Sequence, residues 1–225
     1  MIYPHVLSES DTLDRVLVGQ SLARYGDGEF HLCHGRSAKA QIANPVLRGR
    51  LCDILQDPGG CLVGIPNLHS DTPKAAFWAP FAQHHSLLAQ RSYGSSFVTR
   101  PDSAPWIDIP DYWARLSSLW EGQDVTLVRG ESAKALQASD LTGARTVTVV
   151  NCPKRNAFGQ YAQILARVGT PARALLCLGP TATVLAVDLS HLGVHAIDLG
   201  HVALFLRKHR KGEPMVLTPA EKVAA

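Results

Sequence analysis

Residues 173–200 read "RALLCLGPTATVLAVDLSHLGVHAIDLG", and this stretch decides the fold. The run RALLCL has strand length, Gly179-Pro180-Thr181 breaks it, and the next residues place Val184, Leu185 and Leu189 on one helical face before VHAIDL forms a second short apolar run. A strand, a helix and a strand in succession form a crossover unit, the connection that parallel strands require.

The same alternation extends upstream. RTVTVV, DVTLV, SSFVT and CLVGI are further strand candidates, and SLARY at 21–25 precedes them. Between and before them lie helical segments. SESDTLDRVLVG carries Leu13, Val16 and Leu17 on one face and stops at Gly19, and Asn44-Pro45 opens a helix with Leu47, Leu51, Ile54 and Leu55 at helical spacing. The expectation is an α/β fold: a single Rossmann-like domain over 1–225, with a mainly parallel sheet flanked by helices. The segment from Trp78 to Trp120 is less regular, holds all four tryptophans, and reads as a site-covering insertion or a surface excursion.

Composition narrows the function classes. The 225 residues are 46% apolar and 18% charged with a net charge of +3, which describes a globular chain with no nucleic-acid footprint. The one basic cluster, Arg207 to Lys211, reads as a solvated tail over 207–225, as a contact to an anionic membrane, or as help for an anionic substrate. Five cysteines form no CxxC pair, a reduced, cytoplasmic pattern. With no export signal and no apolar window of spanning length, any membrane contact is expected to be peripheral.

Ligand sites of parallel sheets lie at the carboxyl ends of the strands, and the residues there are polar. After SLARY come Gly26-Asp27-Gly28-Glu29. In an extended loop Asp27 and Glu29 would point the same way and reach one hard divalent cation; the alternative is a solvated turn. Gly179, Pro180 and Thr181 open a helix whose free N–H groups suit an anion, or they form a plain capped turn. Lys154, Arg155 and Asn156 follow RTVTVV, with a helix expected to start near Asn156; they suit a diphosphate or a solvated helix entry. His31 and His34 in HLCH read as helix-surface histidines, and His84-His85 carries no assigned role. There is no G-x-G-x-x-G, no P-loop and no G-x-S-x-G elbow, which argues against the usual dinucleotide fold, P-loop chemistry and a serine hydrolase.

Taken in order, SLARYGDGEF, FVTRP, LWEGQDVTLVRGES, NCPKRNAFGQYAQIL and LGPTATVLAVDLSHLGVHAIDLGH resemble the bacterial glycosyltransferases once grouped as domain of unknown function 1792, of GT-D fold, over a core of about 21–201. The resemblance implies transfer of a hexose, typically glucose, from a UDP-sugar to a growing glycan, using a D-x-E motif and Mn²⁺ or Mg²⁺. It carries metal binding onto Asp27 and Glu29. Arg24, Gly26, Arg100, Lys154, Arg155, Asn156, Gly179, Pro180 and Thr181 become expected donor-site residues, and Glu131, Asp198 or His201 the expected base. The implied acceptor is a lipid-linked oligosaccharide of an exopolysaccharide pathway or a glycosylated protein, and the basic cluster favours the former, at the inner membrane face. A non-catalytic nucleotide-sugar-binding or scaffold subunit is the alternative, because the acidic stretch that follows GH in the family is replaced here by Val202-Ala203-Leu204-Phe205-Leu206-Arg207.

Overall fold

The computed structural model describes residues 3–68, 83–84, 86–89, 92–104, 109–132 and 134–216. The strands β1 (His5–Val6), β2 (Leu22–Arg24), β3 (Leu62–Ile65), β4 (Ser92–Ser95), β5 (Asp124–Gly130), β6 (Thr146–Cys152), β7 (Arg173–Cys177) and β8 (His195–Asp198) form one sheet. Its order is β1-β4-β3-β2-β8-β7-β5-β6, and every strand pair is parallel. One strand expectation needs correction, and one strand was not expected. SSFVT is not a strand: Ser96–Thr99 winds into a 3-10 turn, with the Ser95 hydroxyl accepting from the Phe97 N–H, and the strand lies just upstream at Ser92–Ser95. The two-residue β1 is too short to have given an apolar pattern.

Helices cover both faces. On one lie α1 (Glu9–Leu17), α4 (Ile109–Ser117) and α7 (Val202–Arg210), which bury Leu13, Val16, Trp113, Leu116, Val202 and Phe205. On the other lie α2 (Asp27–Cys33), α3 (Pro45–Gln56), α5 (Tyr161–Val168) and α6 (Pro180–His191). Strand residues alternate between these cores: Leu22 faces the first and Ala23 the second, Leu127 the first and Val128 the second. Each large aliphatic side chain so buried contributes about 1.5–3 kcal/mol. Caps agree with the sequence, since Asn44 Oδ1 accepts from the Leu47 N–H at 3.0 Å and the Ser8 hydroxyl from the Asp11 N–H at 3.0 Å.

The crossovers whose connecting elements are among the described residues share one handedness. Moves from β1 to β2, from β4 to β5 and from β5 to β6 run one way along the sheet and cross the first face; moves from β2 to β3, from β6 to β7 and from β7 to β8 run the other way and cross the second. Neighbouring β2 and β8 therefore send the chain to opposite faces, which opens a crevice at their carboxyl ends.

The expected basic tail is also corrected. Arg207 to Arg210 complete α7, where Arg207 donates to both oxygens of Asp140 and Lys208 is buried beside Glu213, so these cations serve the fold. Residues 217–225 lie outside the described residues, as do Trp78, Trp106 and His85.

Candidate active site at the carboxyl edge of the sheet

The centre of the crevice is a buried polar knot. Arg24, the last residue of β2, donates from Nε to the Asp198 carbonyl at 2.7 Å and from Nη1 to the Ser96 carbonyl at 2.9 Å and to the Thr99 hydroxyl, and its Nη2 lies 3.5 Å from Asp198 Oδ1. It ties the ends of β2, β8 and the 96–99 turn together. Asp198 Oδ1 also accepts from the Gly200 N–H at 2.9 Å. Gly200 has φ +48°, and an added Cβ would lie 1.8 Å from Arg24 Nη2, so only glycine fits. Burial pushes the Asp198 carboxyl up, with Arg24 opposing. Asp198 is thus a positioning group and not an exposed base.

Asp27 and Glu29 correct the extended-loop expectation. They occupy the first turn of α2, whose N-cap Gly26 is extended at φ −118°. Glu29 Oε2 accepts from the Gly26 N–H at 2.8 Å and so caps its own helix. At 3.6 residues per turn, side chains two apart diverge by about 200°, which removes the simple claw. Burial, then the charges of Asp198 and Asp27, raise the Glu29 carboxyl to about 7 despite the capping bond. Asp27 is exposed at the helix start. Among the described residues, no three His, Cys, Asp or Glu side chains form a metal-ligand set.

The start of α6 adjoins this turn. An added Cβ on Gly28 would lie 3.7 Å from Pro180 Cγ, and the Thr183 hydroxyl donates to the Arg24 carbonyl at 2.9 Å. Gly179 sits at φ +56° as N-cap. Thr181 is 1% exposed, and its hydroxyl has no partner among the described residues. A buried, unpaired hydroxyl is costly, and at a helix N-terminus it is a donor in waiting for an anion.

His201 follows β8 at the mouth. The protein packed around its ring, then the Arg100 and Arg24 guanidiniums, push its pKa down to about 4, although the residue still opens to solvent; Asp27 opposes and Lys39 adds to the depression. Arg100 is itself held by Asp102 at 2.8 and 3.0 Å and lies over the Phe205 ring at 5.8 Å. Sequence reasoning missed Lys39 because it sits in the loop after α2, where only tertiary folding brings it to His201.

The remaining expected residues lie to one side. Glu131 is exposed at the end of β5, three strand spacings or roughly 14 Å from β2. Lys154 and Arg155 are exposed beyond β6. Asn156, at φ +55°, is the N-cap of a 3-10 turn over Ala157–Gln160; its N–H donates to the Ala40 carbonyl at 2.8 Å and its Oδ1 accepts from the Ile42 N–H at 2.7 Å. The α5 helix starts only at Tyr161.

This geometry has relatives. The model of the family described as "Glycosyltransferase GT-D fold" matches residues 22–216. The chain belongs to this glycosyltransferase GT-D fold family. Its solved neighbours in the family include the domain of unknown function 1792 reported to have a distinct glycosyltransferase fold, at TM-score 0.84 and 31% identity over 93% of this chain and 83% of that one. A glycosyltransferase of the same class from Streptococcus sanguinis superposes at TM-score 0.82 with 32% identity, over 93% of this chain and 86% of that one. Among curated GT-D relatives, the probable glycosyl transferase Gly of Streptococcus gordonii is 34% identical over 88% of this chain. Glycosyltransferase GlyD of Streptococcus pneumoniae is 30% identical over 85% of it. The chain spans 32% and 26% of the lengths of these two proteins.

Proposed function

We propose that this GT-D domain moves a hexose, glucose in the first instance, from a UDP-sugar to a glycan acceptor in bacterial polysaccharide or glycoprotein synthesis. The observation that carries the reading is the unpartnered Thr181 hydroxyl, buried at the start of the twelve-residue helix α6 beside the crevice between β2 and β8. The α6 N–H groups and Thr181 bind the donor diphosphate, and Lys154 and Arg155 supply positive charge along the same edge.

The carboxylates suit a divalent cation in part: Asp27 is exposed, Glu29 keeps one oxygen beyond its cap, and their mutual repulsion with Asp198 favours a positive charge nearby. Asp27 and Glu29 are the residues that would hold Mn²⁺ or Mg²⁺, and the ion would supply neutralisation of leaving-group charge. Arg24 and Asp198 fix the floor of the crevice. His201, neutral at pH 7, takes the acceptor proton, and a bound diphosphate offsets Arg24 and Arg100 and lifts its basicity. The acceptor approaches from the open mouth, and a lipid-linked oligosaccharide at the cytoplasmic face of the membrane suits that approach.

The test is calorimetric UDP binding alongside transfer and donor hydrolysis with UDP-glucose, with and without Mn²⁺, for wild type, Asp27→Ala and Thr181→Val. Loss of metal-dependent turnover in Asp27→Ala and weaker UDP binding in Thr181→Val are expected. Metal-dependent turnover unchanged in Asp27→Ala would remove the metal assignment, and UDP binding without turnover across a panel of acceptors would favour a binding subunit.

A further inference from the structure

The basic helix end that suggested membrane contact is occupied with Asp140 and Glu213, but another surface has the composition for that contact. Between Glu29 and Asp53 the chain has no Asp or Glu, and it has none between Asp140 and Asp188. These two acid-free stretches meet at Asn156, which bonds Ala40 and Ile42 through its N–H and its side chain. Gln41 Oε1 reinforces the junction by accepting from the Phe158 N–H at 3.3 Å.

Around the junction stand two of the most exposed large apolar side chains among the described residues. Ile42 is 63% exposed and Val46, in the first turn of α3, is 65% exposed. The chain spends no such exposure on its cores, where Leu47 and Leu51 of the same helix are fully buried. Beside them, Arg36, Lys39, Lys154 and Arg155 are all exposed. Apolar side chains bordered by cations, with no carboxylate in either contributing stretch, complement an anionic bilayer: the apolar groups enter the acyl boundary and the cations meet headgroup phosphates. A nucleic acid would use the cations and leave Ile42 and Val46 idle.

We propose that the 36–46 loop, together with the 154–156 turn, is a peripheral membrane-contact surface for anionic lipid. It lies at the carboxyl edge of the sheet, so docking holds the mouth of the crevice toward the membrane. The surface rests on exposure and charge and stands whether or not the domain transfers a sugar.

The experiment is co-sedimentation of the full chain with vesicles of phosphatidylcholine alone or with a third of phosphatidylglycerol. Binding to the anionic vesicles only is expected, weakening between about 0.1 and 0.5 M salt as charges are screened. Arg36→Glu/Arg155→Glu is expected to weaken it by about thirtyfold or more, and Ile42→Ser/Val46→Ser to weaken it without changing the melting temperature. Arg145→Glu, at the opposite edge of the sheet beside Asp124, serves as the control and is expected to bind as wild type. Equal binding to neutral vesicles, no binding, or an equal loss in Arg145→Glu would overturn the proposal. Unchanged binding in Ile42→Ser/Val46→Ser would mean a charge-only surface for an acidic polymer and would also overturn it. UDP binding measured on Ile42→Ser/Val46→Ser, which touches no donor-site residue, is expected to match wild type and separates loss of the surface from failure of the donor site.

Discussion

Two sets of cations share the carboxyl edge and are built in opposite ways. In the crevice, Arg24 and Arg100 are fastened: Arg24 spends its donors on Asp198, Ser96 and Thr99, and Arg100 meets Asp102 with two bonds. On the flank, Lys154 and Arg155 stand in solvent with no hydrogen bond or ion pair among the described residues. Fastened cations shape a site and set the pKa values within it. Free ones are available to a ligand. Residue type and strand-end position therefore do not separate structural charge from binding charge; partners do.

The comparison breaks most visibly at Arg24. Arg24→Ala leaves the Asp198 carboxylate buried without its counter-ion, and a loss of about 3–5 kcal/mol is expected by urea denaturation. A loss below about 1 kcal/mol would show that Arg24 is not the fastener described. Glu29 and Asp27 divide in the same manner. Glu29→Ala is expected to cost about 1 kcal/mol through the lost cap, while Asp27→Ala leaves the melting temperature nearly unchanged and lowers turnover.

Thr181→Val sharpens the contrast further, because it removes an unsatisfied hydroxyl. It should hold or raise stability by up to about 1 kcal/mol while weakening UDP binding about tenfold, near the value of one hydrogen bond to a charged group. The smallest stability effect belongs to Lys154→Ala/Arg155→Ala, within about 0.5 kcal/mol, with weaker UDP binding and a shallower salt dependence. The fastened cations of α7 add a pH signature. Burial alone would raise the Asp140 carboxyl, but its bonds from Arg207 and the Gln137 N–H outweigh burial and hold it below its ordinary 3.8. Its contribution is present above that value and is lost as pH falls through the lower folded value. In Arg207→Gln stability should be lower at neutral pH, and the part of the acid loss that comes from Asp140 should shrink, because the depression that creates it is removed.

Much of the fold was legible because local and tertiary signals agree: Asn44-Pro45 caps a helix, and RALLCL and DVTLV are buried strands. Where they conflict, the reading failed. Gly26-Asp27-Gly28-Glu29 has turn composition, yet the burial of Phe30 and Leu32 and the Glu29 cap pull it into a helix. Ser92–Ser95 has little strand propensity and pairs because β1 and β3 flank it. The strand-end rule pointed to Thr181 and His201, and the family resemblance to Arg24, but neither carried information about which groups would be spent on one another. Lys39, in the loop after α2, gave no local pattern at all.

The fastening of Arg24 has a temporal consequence. Its bond to the Asp198 carbonyl spans 174 positions, and β2 finds its neighbour β8 only after every residue between them has been made. Contacts of such sequence separation form late, at high loop-closure cost. During synthesis the start of α2 is made early, yet the crevice remains without its floor until β8 leaves the ribosome, so the proposed donor binding can begin only after residue 198 has been made.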